Sequence, residues 1–227
     1  MPIPYPYLIW ADRATLYGET IEGRQAEGPF YFRYRKKGSN EDWSENVEGS
    51  QQPDSRLILS PEIKGLTPGK QYRYRVFAQE VLKHTGYKII YGSYASTDVY
   101  YRKPLTFHTC NPQAPATSFV MVNDIHGDNK LLEDLMSRCN LTQTDFVLFN
   151  GDMLSFINSE DQLFKGFMDT AVRLFASEIP MYYARGNHET RGLFFAHYRD
   201  YFPSPTGQTY YSFQAGPVFF IVLDGGE

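Results

Sequence analysis

Three short runs of this sequence concentrate oxygen- and nitrogen-bearing side chains: Asn123-Asp124-Ile125-His126-Gly127-Asp128, Asn150-Gly151-Asp152 and Arg185-Gly186-Asn187-His188-Glu189. Each follows an apolar segment, at 118–122, 146–149 and 180–184, of the kind expected of a buried parallel strand. In open α/β sheets the loops after parallel strands converge on one rim, so the three runs are expected to meet. Asp124 and His126 lie two residues apart at a strand end, and their side chains should project to the same side. Gly151 lets the chain turn sharply and bring the Asp152 carboxylate close to an ion. Carboxylate, imidazole and amide together suit Mn, Fe or Zn. Each run taken singly has a plainer reading: Gly151-Asp152 as a turn, Asn187 as a helix cap, His188 as a surface residue. Their order, each directly after a strand, favours one shared site.

The elements that must hold these runs fall into two halves of different period. Residues 1–110 are expected to be all-β, with short alternating segments at 14–18, 30–35, 56–59, 71–77 and 105–109. The clearest puts Tyr72, Tyr74 and Val76 on one face and Arg73 and Arg75 on the other. A Pro-rich linker over 111–117 follows. Residues 118–227 then read as an α/β layer, with Leu131, Leu132, Leu135 and Met136 at helical spacing, and a helix over 160–177 capped by Ser159 with Gln162 three residues later. A further helix is expected near 191–201 and a hairpin turning at Ala215-Gly216-Pro217.

Composition narrows the function classes. With 42% apolar residues the chain is globular, and no apolar run approaches the ~20 residues of a membrane-spanning helix. A formal charge of −4 without a basic run disfavours nucleic acid. Cys110 and Cys139 are too few for a disulfide framework or a structural zinc site and are read as ordinary thiols. No signal peptide is visible at Met1-Pro2-Ile3-Pro4.

Two resemblances sharpen this reading. Gly65-Leu66-Thr67-Pro68-Gly69-Lys70-Gln71-Tyr72, with Tyr34-Arg35-Lys36-Lys37-Gly38 and Trp43, resembles a fibronectin type III domain with its tyrosine corner, which implies an immunoglobulin-like sandwich over residues 1–110. The D-I-H-G, G-D-M and R-G-N-H-E set, with the following Tyr210–Phe213 and Phe219–Asp224 segments, resembles the calcineurin-like metallophosphoesterases. The fibronectin-like half before it resembles the purple acid phosphatase arrangement. That family lacks a His two residues after its first Asp and has a Tyr ligand three residues after its second. Here His126 is present and Ser155 stands at the Tyr position, which implies a D-x-H site without tyrosinate-to-iron charge transfer.

The resemblance implies a phosphomonoesterase or phosphodiesterase with a dinuclear site of Fe, Mn or Zn and a bridging hydroxide. Asp124 and His126 would ligate the first metal, Asp152 both, and Asn187 the second. His188 would hold or protonate the leaving oxygen, with Glu189 orienting it. By charge and position, Arg185 and Arg191 are candidates to contact phosphate. Phe156, Tyr183, Phe194 and Phe195 are candidates to line the pocket. The family pattern continues with a further His and a G-H-x-H segment, which this sequence does not contain. The expectation is therefore the N-terminal part of an αββα sandwich, with weak or absent metal binding and turnover, self-association through exposed strand faces, and an exported location. The alternative is a glycan- or partner-binding protein whose metallophosphoesterase layer is not catalytic.

Overall fold

The computed structural model describes the backbone of residues 4–9, 14–19, 30–36, 47–48, 58–59, 62–85, 87–96 and 105–225, and the side chains of 63–76, 85, 87–88, 90–92 and 105–225. Lys37-Gly38 and Trp43 of the fibronectin-like resemblance, and Arg56-Leu57 of the segment expected at 56–59, lie outside them.

Among the described residues the first half holds nine strands: β1 Pro4–Ile9, β2 Ala14–Glu19, β3 Phe30–Lys36, β4 Val47–Glu48, β5 Ile58–Leu59, β6 Glu62–Ile63, β7 Gln71–Thr85, β8 Lys88–Ser96 and β9 Leu105–His108. An antiparallel sheet runs β4-β3-β7-β8, with β9 also on β7. The alternation in β7 is as expected, with Tyr72, Tyr74 and Val76 buried and Arg73 and Arg75 half-buried. At its start the Tyr72 hydroxyl accepts a hydrogen bond from the Thr67 N–H at 2.8 Å, tying the strand to the Pro68-Gly69 turn. Gly69 makes that turn at φ 64°, where a β-carbon would be strained.

The second half contributes β10 Phe119–Val122, β11 Phe146–Asn150 and β12 Met181–Ala184, parallel and in that order, and the hairpin β13 Tyr211–Ala215 with β14 Val218–Val222. All of β12, and β11 apart from Asn150, is buried. β10 corrects the expectation of a strand covered on both faces: it lies at the sheet edge with Phe119 and Met121 exposed. The sheet does not stop at the expected linker. β1 pairs in parallel with β12 through Tyr7 and Met181, so the order is β10-β11-β12-β1-β2-β5, with β6 also on β2. The expected division into 1–110, 111–117 and 118–227 is therefore crossed by one continuous sheet. Pro4 and Pro6 have no N–H to give, and the pairing with β12 occurs at Tyr7, past both.

Helix α1, Asn129–Ser137, is capped by the Asp128 carboxylate, which accepts from the Leu131 N–H, and it buries Leu132 and Met136. A helical stretch then runs through α2 Glu160–Leu163, a π turn Phe164–Met168, α3 Asp169–Ala171 and a second π turn Val172–Ala176. Ser159 Oγ caps it by accepting from the Gln162 N–H. The helix expected near 191–201 is shorter: 3₁₀ turns at His188–Thr190 and Phe195–His197, then α4 Tyr198–Tyr201. Among the described residues no helix is long and apolar enough to cross a membrane.

Polar contacts lock the halves together. The Tyr74 hydroxyl donates to the Ser177 carbonyl, and Thr106 donates to Glu178 through both its N–H and its hydroxyl. Tyr74, Tyr182, Tyr183 and Tyr198 are fully enclosed, and burial, aided by Glu178 at Tyr74, Cys110 at Tyr182, Glu189 at Tyr183 and Tyr211 at Tyr198, holds each phenol well above its ordinary range. The native state thus keeps these protons while the unfolded chain releases them above about pH 10. The sign follows: their stabilising effect is full below about pH 10 and declines as pH rises further. In an alkaline titration followed at 295 nm, these four of the 18 tyrosines should ionise only as the protein unfolds. Early titration of all 18 would contradict the burial. Cys110 and Cys139 form no disulfide, and burial pushes the Cys110 thiol up to about 11, so it stays protonated.

Candidate metal centre

The three polar runs meet at the carboxyl ends of β10, β11 and β12. Past the end of β10 the chain stays stitched to the loop after β11: Asp124 N–H donates to Gly151 O, His126 N–H to Asp152 O, and Gly127 N–H to Met153 O. Two glycines permit the next approach. A β-carbon on Gly151 would lie 2.7 Å from Gly186 Cα, and one on Gly186 would lie 2.3 Å from Asp152 Oδ1. These positions press the β11 and β12 loops together beneath Asp152.

Asp124, His126 and Asp152 are the non-glycine residues of positive φ among those described, at 57°, 53° and 57°. Such backbone costs of order 1–3 kcal/mol per residue and persists where surrounding structure over-determines it, typically at binding or active sites. This corrects the expected geometry: Asp124 and His126 are not in extended backbone, yet their side chains still meet, with His126 Nε2 3.8 Å from Asp124 Oδ1. The Asn123 amide donates to Asp124 Oδ2.

His126, Asp152 and His188 each place one donor atom within 4.8 Å of the others, a set able to hold a metal ion. Two nitrogens and one carboxylate oxygen match the donor chemistry of a transition-metal site. The imidazoles of His126 and His188 lie edge to face at 4.7 Å. Asp152 Oδ1 also accepts from the His188 N–H at 3.0 Å. Asn187 precedes the 3₁₀ turn without making a side-chain cap, so the helix-cap reading of it does not hold. With its amide oriented to satisfy both ends, its nitrogen lies 3.1 Å from Asp152 Oδ2 and its oxygen accepts from Arg191 at 2.8 Å. Arg191 Nη1 lies 3.3 Å from both ring nitrogens of His188.

Two expected roles are corrected. Glu189 is 1% exposed and does not orient His188. Its carboxylate accepts from the N–H groups of Asp152, Met153 and Gly186 and from the Tyr183 hydroxyl, all at 2.8–2.9 Å. The 3₁₀ turn rotates residue 189 inward while 188 faces the rim. Arg185 is drawn away from the rim into an ion pair with Asp224 at 2.7 Å, beyond the end of β14. Of the pocket candidates, Tyr183 is in the core, Phe194 packs beside His197 at 4.5 Å, and Phe156 and Phe195 are exposed.

Ser155 takes a place that sequence reasoning did not give it. Its carbonyl accepts from His188 Nδ1 at 2.8 Å, and its hydroxyl lies 3.3 Å from His126 Nδ1. A carbonyl cannot donate, so His188 carries its proton on Nδ1 and turns Nε2 toward the site. The signal available was its spacing, three residues after Asp152. Ser155→Ala should weaken metal affinity by roughly 10-fold, as for other groups that orient a ligating imidazole, and Ser155→Thr should largely restore it. Calorimetric titration of the metal-stripped protein checks this, and unchanged affinity in the alanine variant would contradict it.

Residues 117–224 match the family model of the calcineurin-like phosphoesterases. Among solved structures the chain is similar to PhoD, with a TM-score of 0.62 and 14% identity over 98% of this chain and 52% of that one. This chain thus spans about half the length of PhoD. The sensor domain of the anti-sigma factor RsgI4 from Pseudobacteroides cellulosolvens also matches, with 14% identity over 42% of this chain and 91% of that one, but its TM-score of 0.25 carries no argument about fold. No protein of curated function matches the sequence significantly.

Proposed function

We propose that the protein is a metal-dependent phosphoester hydrolase whose site is built by Asp124, His126, Asp152, Asn187 and His188. The observation that carries this reading is the convergence of His126, Asp152 and His188 within the domain that matches the calcineurin-like phosphoesterases. Bound metal would supply Lewis acidity and neutralise charge on the phosphoryl oxygens. Asp124 and His126 would hold one ion, Asn187 a second through its amide oxygen, and Asp152 would lie between them. The Asn187 amide would turn that oxygen from Arg191 toward Asp152 when metal binds. Asp152 suits the place between the ions because its carboxylate faces both the β10 loop and the Asn187-His188 turn. His188, with Nδ1–H tied to the Ser155 carbonyl, would take up a second proton on Nε2 and give it to the leaving oxygen. Arg191, exposed beside His188, is the phosphate contact, and Arg185 is not, being paired with Asp224. For the first half, the two antiparallel strand sets and the Tyr72 bond support a fibronectin type III-like sandwich. Exposed Phe119, Met121, Phe219 and Ile221 support self-association.

The test is hydrolysis of an aryl phosphate and a bis-aryl phosphodiester by chelator-stripped protein reloaded with Mn, Fe or Zn. Metal-restored turnover supports the reading, and the preferred ester identifies its class. No turnover with any metal would favour the binding-protein alternative.

A further inference from the structure

We propose that a groove beside the metal centre receives the alcohol part of the phosphoester, and that this part is uncharged and carries an aromatic ring seated on Phe156. The proposal rests on the hydrolase reading above. The groove, about 490 Å³, begins at His126 and Ser155, passes Phe156, and ends at Gln162 and Lys165 over a floor that includes Leu154. That volume is in the range of small-molecule sites, ~300–1,000 Å³, and far more than a bare phosphate needs.

Phe156 is 45% exposed, while its neighbour Ile157 is 1% exposed. Its loop is nonetheless rigidly tied. The Ile157 N–H donates to Arg191 O and its carbonyl accepts from the Phe194 N–H, while Ser155 engages both imidazoles. A phenyl ring is therefore held at the rim with no aromatic partner among the described residues, and a face so placed is suited to stacking against a ligand ring. Among the described residues, the far end of the groove offers a second anionic group no unpaired cation. Lys165 is paired with Asp161 at 2.6 Å, so the charge there is balanced. The phosphoryl group would lie at the His126 end and an uncharged ring over Phe156, as in esters of aryl alcohols or nucleosides.

The experiment compares phenyl phosphate, a nucleoside 5′-monophosphate and glycerol phosphate on metal-loaded wild type, Phe156→Ala and Phe156→Tyr. Phe156→Ala should raise KM for ring-bearing esters ~2–10-fold with little change in kcat, leave glycerol phosphate unaffected, and be rescued by Phe156→Tyr. The relative size of the two ring-bearing effects separates aryl from nucleoside esters. Binding of phenylphosphonate against methylphosphonate, read by saturation-transfer NMR, gives a second readout. Equal effects on all three esters, or none, would overturn the proposal. If wild type hydrolyses no ester, the hydrolase reading fails by itself. The ring contact is then decided by phenylphosphonate binding: loss in Phe156→Ala supports it, and persistence overturns it.

Discussion

Asp152→Asn should lower turnover of an aryl phosphate by on the order of 10²–10³-fold without unfolding the protein, because on the proposed reading several kcal/mol of charge stabilisation would depend on metal held by this carboxylate. Asparagine keeps the shape and the oxygen that accepts from the His188 N–H, so the substitution removes charge and little else. Asp152 is also the side chain shared by the β10 loop and the Asn187-His188 turn, so no neighbour can take over its position. The effect should fall on kcat and kcat/KM together, as for an interaction needed in the transition state. A variant with near-normal kcat and normal folding would remove Asp152 from the site.

The largest effect on stability should come from Glu189. Its carboxylate satisfies three backbone N–H groups and a tyrosine hydroxyl at 1% exposure, joining the β11 loop, the β12 loop and the core. Glu189→Gln keeps the volume but points an amide donor at donors, leaving buried groups unpaired. The cost is about 3–5 kcal/mol, or roughly 6–20 °C in Tm for a chain of this size. Thermal unfolding followed by circular dichroism checks it. An unchanged Tm would mean that these hydrogen bonds do not hold the rim together.

The convergence of the three polar runs was legible because each sits where the chain marks it locally, directly after an apolar segment. An apolar run followed by Asp, His or Asn is visible without three-dimensional information, and the strands at β11 and β12 and the tyrosine-to-turn bond before β7 follow from the same local patterns. What was not legible depends on direction or distance. Glu189 is adjacent to His188 in sequence, yet one step along a 3₁₀ turn sends it to the opposite side. Arg185 was assigned to phosphate from its charge, but its partner Asp224 lies 39 residues away at the end of another strand. The left-handed backbone at Asp124, His126 and Asp152 depends on the loops stitched around them, in residue types that reach that region more readily than most non-glycine residues. The continuation of the sheet from β12 into β1 joins segments more than 170 residues apart, and no periodicity carries that information.

The central claim is that Asp124, His126, Asp152 and Asn187 form a metal centre, and calorimetric titration of the chelator-stripped protein with Mn²⁺ or Zn²⁺ tests it most directly. Saturable binding by wild type, lost or weakened at least 10-fold in Asp152→Asn with an unchanged circular dichroism spectrum, is the predicted result. No binding by wild type, or equal binding by the variant, would contradict it.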